Sequence, residues 1–282
     1  MDQRRMCPHC RAFITTHDRV CPYCHERVAP RAVEQRDTGG ILGGFIPHAH
    51  FVTMMILIVN IGLFLVTVIF SQRSGAESGL MGIDQRTLYL FGAKYRGGAL
   101  PGIFVGGQWW RLITAGYLHG GLLHIAMNAW VLFDLGAQVE ETYGGARLLV
   151  FYTLATVGGF LASAWFVAAI SVGASAGLFG LIGAMIALGV RHESPSMGTA
   201  IRKLYLRWAI YGLAFGFLPG LHVDNAAHIG GLAAGFAAAY LAGTPRLTGP
   251  RERIWQGAAV ACVLVTAYSF LKMYLWFSRF AQ

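Results

Sequence analysis

SVGASAGLFGLIGAMIALGV (Ser171–Val190) and VDNAAHIGGLAAGFAAAYLA (Val223–Ala242) decide how this chain is read. Each is an apolar run of bilayer-crossing length, since the hydrocarbon takes roughly 20 apolar residues of helix. The first holds Ser175 at a glycine-rich helix entry, and the second holds a single histidine, His228. A serine is a poor nucleophile unless a base lies within hydrogen-bond reach. An ionisable residue in a membrane segment is by default a functional hypothesis. The pair therefore suggests nucleophile and base of a site inside the membrane. The competing reading is a small-residue packing motif with an unreactive serine, plus a histidine bonded to a carbonyl.

Composition supports the membrane setting. Of 282 residues, 55% are hydrophobic and 12% charged, where a soluble domain has about 25% charged. The 37 glycines suit close approach of membrane helices. A formal charge of +9 would suggest nucleic acid in a soluble protein. Here the basic residues fall mostly in loops and near the N-terminus, so they orient the chain against the membrane, and no nucleic-acid partner is expected. Residues 1–47 are polar and cysteine-rich, unlike a cleavable leader before the first span.

Seven candidate spans follow: 50–70, 114–138, 147–169, 173–190, 204–220, 225–243 and 255–277. The fifth is weakest, because Arg202, Lys203 and Arg207 cut into its start. The patches LYLFGAK and GIFVGGQWWRLI within 71–113 are too short to cross and suggest interfacial helices. Lys and Arg gather in the head, after the fourth span and after the sixth, which places the N-terminus in the cytoplasm. Ser175 and His228 then share the outer half. The segment 71–113, with five basic residues on the outer side, is the exception. The chain divides into a head at 1–28, a flexible linker at 29–47, a membrane domain at 48–245, and a last helix and tail at 246–282.

Other residues fit around the pair. Glycines beside Ser175 leave backbone N–H groups at a helix N-terminus free to face an oxyanion. Gly231 and Gly235 follow His228 on one helix face. His124 and Asn128 stand four apart, share a face and can both donate hydrogen bonds, as an oxyanion hole requires. His119 joins them on the second span, and a zinc site is the rival reading. Asp224 lies one turn before His228, where helix capping is the stronger reading than a third triad member. Cys262 reads as packing.

The head contains CPHC (Cys7–Cys10) and CPYC (Cys21–Cys24). Two such knuckles supply four thiolates for a tetrahedral, structural Zn2+ site. Two disulfides are the alternative, against which the reducing cytoplasmic side argues. Four cysteines leave no open position, so the head reads as a binding module for a cytosolic partner, and catalysis needs no cofactor.

The ordered set Trp110-Arg111, His119-x4-His124-x3-Asn128, Gly173-x-Ser175 and His228-x-x-Gly231-x-x-x-Gly235 resembles the rhomboid intramembrane serine proteases over roughly 50–245. The resemblance implies an all-α polytopic membrane protein, a six-helix bundle plus one C-terminal transmembrane helix, with the zinc knuckle as an N-terminal addition. It implies Ser175 as nucleophile, His228 as base in a dyad, and His124 and Asn128 as oxyanion donors. Phe179 would support the histidine ring, and Gly136 and Glu140 would be structural. Substrates would be single-span membrane proteins cut near their outer ends, with the short fifth span as lateral gate. The family commonly has glycine where Ala176 stands. The expected location is a bacterial inner membrane, multi-pass. A catalytically silent client-binding relative is the alternative, and it should lack the dyad. A small-solute transporter should show charged residues near the midplane or paired broken helices, whereas only Asp134 is found.

Overall fold

A computed structural model describes residues 4–7, 9, 10, 12–15, 18–28, 50–73, 80–218, 223–243 and 250–280. The linker expected at 29–47 lies outside the described residues. The chain separates into two compact units, Met1–His48 and Ala49–Gln282.

In the first unit, β1 (Arg4–Met6) and β2 (Phe13–Thr15) pair antiparallel, with Arg4 opposite Thr15. Val20 bridges Arg27 across a second turn. Its apolar centre is Cys7, Ile14, Cys21 and Val28. So small a core rarely sustains a fold without a staple.

The second unit is helical: α1 (Phe51–Arg73), α2 (Gln85–Leu90), α3 (Arg111–Thr114), α4 (Leu122–Val131), α5 (Ala137–Tyr143), α6 (Gly145–Phe166), α7 (Ser175–Arg191), α8 (Pro195–Phe215), α9 (Asn225–Ala242) and α10 (Pro250–Phe280). A π-helical turn at Leu132–Gly136 joins α4 to α5. Helix α1 exposes Ile58, Leu65, Val66 and Ile69, as a lipid-facing helix requires, and turns Thr53, Asn60, Thr67 and Ser71 inward.

Four stretches among the described residues are long and apolar enough to cross a membrane: Phe51–Arg73, Leu122–Tyr143, Gly145–Phe166 and Glu252–Arg279. The expected seven spans therefore do not all meet that standard. Helix α7 has 17 residues, of which thirteen are buried. It is wrapped by protein, so its length need not match the hydrocarbon.

Three boundaries differ from the sequence reading. The second span was expected from 114, but α4 begins at Leu122 after an extended break at Leu118–Gly121. A side chain at Gly121 would overlap the Met81 carbonyl. The third span ends at Phe166, and residues 167–174 form a non-helical lead into α7. The fifth was expected to be short at 204–220. Helix α8 instead starts at Pro195, which is pre-organised for a first helical turn, and Lys203 stays on an exposed face.

Glycine contacts set the centre. A side chain at Gly231 would overlap the Ala176 carbonyl, and one at Gly235 the Gly180 carbonyl. Helices α7 and α9 therefore touch backbone to backbone. Glu140 accepts N–H bonds from Val52 and Thr53 at 2.9 Å, together with the Thr53 hydroxyl at 2.7 Å. A carboxylate there satisfies orphan donors in the first turn of α1 and complements its dipole. Arg111 organises the α2–α3 connection: it is fully buried, and its guanidinium donates to the Tyr89 and Ala93 carbonyls at 2.8 Å. Helix α10 packs Trp276 against that guanidinium, 5.0 Å from the ring centroid, and pairs Glu252 with Arg147 at 2.6 Å.

Candidate active site

Ser175 opens α7 and His228 lies in the first turn of α9. Because glycine lets these helices meet, Ser175 Oγ lies 2.9 Å from His228 Nε2. The Phe179 ring, one turn into α7, stacks on the imidazole at 4.1 Å and 14°. It fixes the ring plane and covers one face. The other imidazole nitrogen, Nδ1, is buried with no hydrogen-bond partner among the described residues.

Asp224 does not supply that partner. Its Oδ1 accepts from the Ala227 N–H at 3.0 Å, which makes it the N-cap of α9. Its Oδ2 accepts from the Ser163 hydroxyl on α6. Both oxygens are thus engaged away from His228.

Gly173 shapes the space beside the serine. Its φ of +131° lies where L side chains are strained. A methyl placed there would sit 2.7 Å from His124 Nε2 and 3.5 Å from Ser175 Oγ. One small volume is therefore bounded by Gly173, His124 and the serine hydroxyl. The Gly120 N–H points at His124 Nδ1 from 3.4 Å. That makes Nδ1 the acceptor and leaves the proton on Nε2, facing the volume. Asn128 uses one N–H of its amide on the His124 carbonyl at 2.9 Å, so its second N–H is spare among the described residues. The buried His119 accepts from the Ala174 N–H at 3.5 Å and packs edge-on to His124 at 5.1 Å. It precedes α4 rather than riding on it, which corrects the expected placement. Its direct neighbour is the backbone just before the serine.

Ala176 is buried among Ala115, Phe160 and Ala227. Its methyl faces Gly159 of α6, where an added Cβ would meet it at 2.8 Å. The extra carbon is thus taken up between helices. The sequence reading did not single out Lys94 or Ser163. Their partners lie 73 and 61 residues away, and no local pattern marks such a pairing.

In the first unit, the sulfurs of Cys7, Cys10, Cys21 and Cys24 all lie within 4.8 Å of one another. The Cys7–Cys24 and Cys10–Cys21 separations are 3.8 and 3.6 Å. These are too long for disulfides, and the cysteines are free. A tetrahedron with metal–sulfur bonds of about 2.3 Å has an edge of about 3.8 Å. The donor set thus fits one tetrahedral, thiophilic ion. The Cys10 backbone N–H draws the Cys7 thiol down to about 6.

The glycine-pinned helix pair and its serine–histidine contact define a polytopic membrane protein of rhomboid type. A family model for the rhomboid domain matches residues 106–245, and the chain belongs to the rhomboid family. It is 37% identical over 163 residues to the Rhomboid protease GluP of Bacillus subtilis (strain 168), covering 58% of this chain and 31% of that protein. It is 33% identical over 184 residues to RHOMBOID-like protein 4 of Arabidopsis thaliana, covering 59% of this chain and 41% of that one. It is 33% identical over 201 residues to Rhomboid-like protease 2 of Toxoplasma gondii, covering 68% and 66%. The chain thus spans well under half the length of the first two relatives.

Proposed function

We propose that this protein is an intramembrane serine endopeptidase acting by a Ser175–His228 dyad. The observation that supports the reading most is the 2.9 Å contact between Ser175 Oγ and His228 Nε2. It lies at a helix N-terminus beside a small volume that His124 faces. In the proposed reaction, His228 Nε2 takes the hydroxyl proton as Oγ attacks a peptide carbonyl. The oxyanion develops in the volume beside Gly173. The Nε2–H of His124, the spare N–H of Asn128 and backbone N–H groups at the start of α7 stabilise it there. The tetrahedral species collapses, the C–N bond breaks, and His228 returns the proton to the leaving amine. Water then enters by the same base and hydrolyses the ester on Ser175. No described residue bonds Nδ1, so imidazolium formation relies on Phe179 and the surrounding dipoles.

The substrates are membrane proteins with a transmembrane segment, cleaved near the outer face. The N-terminus lies in the cytoplasm, as in a bacterial inner membrane. Relatives named as proteases are 37% and 33% identical to this chain over the lengths matched, which supports the same reading. The silent client-binding reading is less well supported, because both dyad members are present and in contact. The head holds one Zn2+ through Cys7, Cys10, Cys21 and Cys24 as a structural ion, and offers a surface to a cytosolic partner.

The test is labelling by a fluorophosphonate in detergent. Wild-type protein should be labelled at Ser175. Ser175→Ala and His228→Ala should each lose the signal while keeping the wild-type thermal midpoint, because nucleophile and base act as a unit. Labelling that persists in Ser175→Ala would remove the assignment.

A further inference from the structure

Lys94 lies in the connection between α2 and α3, and its side chain is fully buried. Its ammonium donates to the Val167 carbonyl and to the Ala169 carbonyl, both at 2.8 Å. Its backbone exchanges two hydrogen bonds with Ser171, at 2.9 and 3.1 Å. One residue therefore grips positions 167, 169 and 171 of the segment that ends α6 and enters α7. The next ties along that segment are the Gly173 N–H on the Ala115 carbonyl at 2.9 Å and the Ala174 N–H on His119. Ser175 follows at once.

Val167 is the C-cap of α6, where orphan carbonyls and the negative helix end favour a cation. Burying an ammonium is nonetheless costly unless it is paired and bonded. Burial pushes Lys94 down to about 8, opposed by the charge of Asp224 and furthered by that of Arg96. Asp224 in turn caps the helix bearing His228. Lys94 thus stands at the entry to α7, with its charge favoured by the carboxylate that caps α9.

We propose that Lys94 is a positioning residue for the nucleophile. By holding the Val167 and Ala169 carbonyls it fixes the path of residues 167–174, and so the place of Ser175 Oγ and the open volume at Gly173. This rests on the Ser175–His228 reading. A loss of position should slow the covalent step without weakening encounter, since misplacement of a reacting group by about 1 Å can cost about 100-fold.

Full-length protein in detergent would be titrated with a fluorophosphonate, and saturation would separate kinact from KI at Ser175. Lys94→Met should lower kinact at least tenfold with KI within twofold. Lys94→Gln keeps N–H donors on a chain one bond shorter, and should fall between Lys94→Met and wild type. A wild-type kinact in folded Lys94→Met, or a loss confined to KI, would overturn the proposal. So would failure of both variants to fold, which would assign Lys94 to the fold alone. If Lys94→Met does not fold, Lys94→Gln decides, a wild-type kinact again being the overturning result. Absence of labelling in wild-type protein would instead strike the hydrolase reading, so the two failures are separable.

Discussion

Gly173 shows how little room the site leaves at the residue scale. Its positive φ and the 2.7 Å approach of a virtual Cβ to His124 Nε2 combine strain with obstruction of the proposed oxyanion volume. Gly173→Ala should cut the fluorophosphonate labelling rate by about 100-fold or more, the scale of losing an oxyanion donor. The protein should still purify folded, and a wild-type rate would move the oxyanion elsewhere. Asp224 gives the contrast. Asparagine is as good an N-cap as aspartate, and the Asp224 carboxylate bonds the Ala227 N–H and the Ser163 hydroxyl rather than the His228 imidazole, so Asp224→Asn should stay within about tenfold of wild type. A loss as deep as that of His228→Ala would make Asp224 a third catalytic member. At this scale the sequence marked Ser175, His228, His124 and Asn128 by residue type and spacing alone. It could not show that Asn128 spends one N–H on the His124 carbonyl, because side-chain direction is set by neighbours.

The elements α7 and α9 meet through glycine at Gly183, Gly231 and Gly235, with added side chains running into backbone rather than into movable side chains. Overpacking of that kind costs about 1–3 kcal/mol even where side chains can yield. Gly235→Val should therefore lower the thermal midpoint in detergent sharply and abolish labelling. Gly62→Ala on α1, where nothing lies within 4 Å, should leave both unchanged. Equal behaviour of the two variants would refute backbone contact as the basis of the helix pair. The glycine spacing was legible because glycines four apart share a helix face. The break at Leu118–Gly121 is not legible from hydropathy because apolar residues flank it on both sides. The Gly120-Gly121 pair was the available signal. The early start of α8 was missed because its charges were weighed against a bilayer rather than an exposed face.

For the whole molecule, the two units should be separable in function. Four thiolates fill a tetrahedral shell and leave no open position for substrate or water. The purified protein should hold one zinc ion. A strong chelator should remove it while leaving labelling of Ser175 unchanged. A peptide of residues 1–30 should be unstructured in chelator and ordered with zinc, because metal binding supplies the folding free energy such a core lacks. Metal analysis without zinc, or labelling that vanishes with the metal, would count against the closed structural site.

Hydropathy and charge are local quantities, so the chain alone declared a helical membrane protein, a cysteine head and the reactive residue types. The resemblance in motif order was equally open, being a matter of spacing. What waited for the tertiary structure was convergence. Ser175 and His228 are 53 residues apart, Lys94 and Val167 are 73 apart, and Ser163 and Asp224 are 61 apart. Whether such pairs touch depends on helix crossing and on backbone approach at glycine, which no window of sequence contains. The same packing turned the Asp224 carboxylate toward Ser163 and the Ala227 N–H and turned the Ala176 methyl toward the gap that Gly159 leaves.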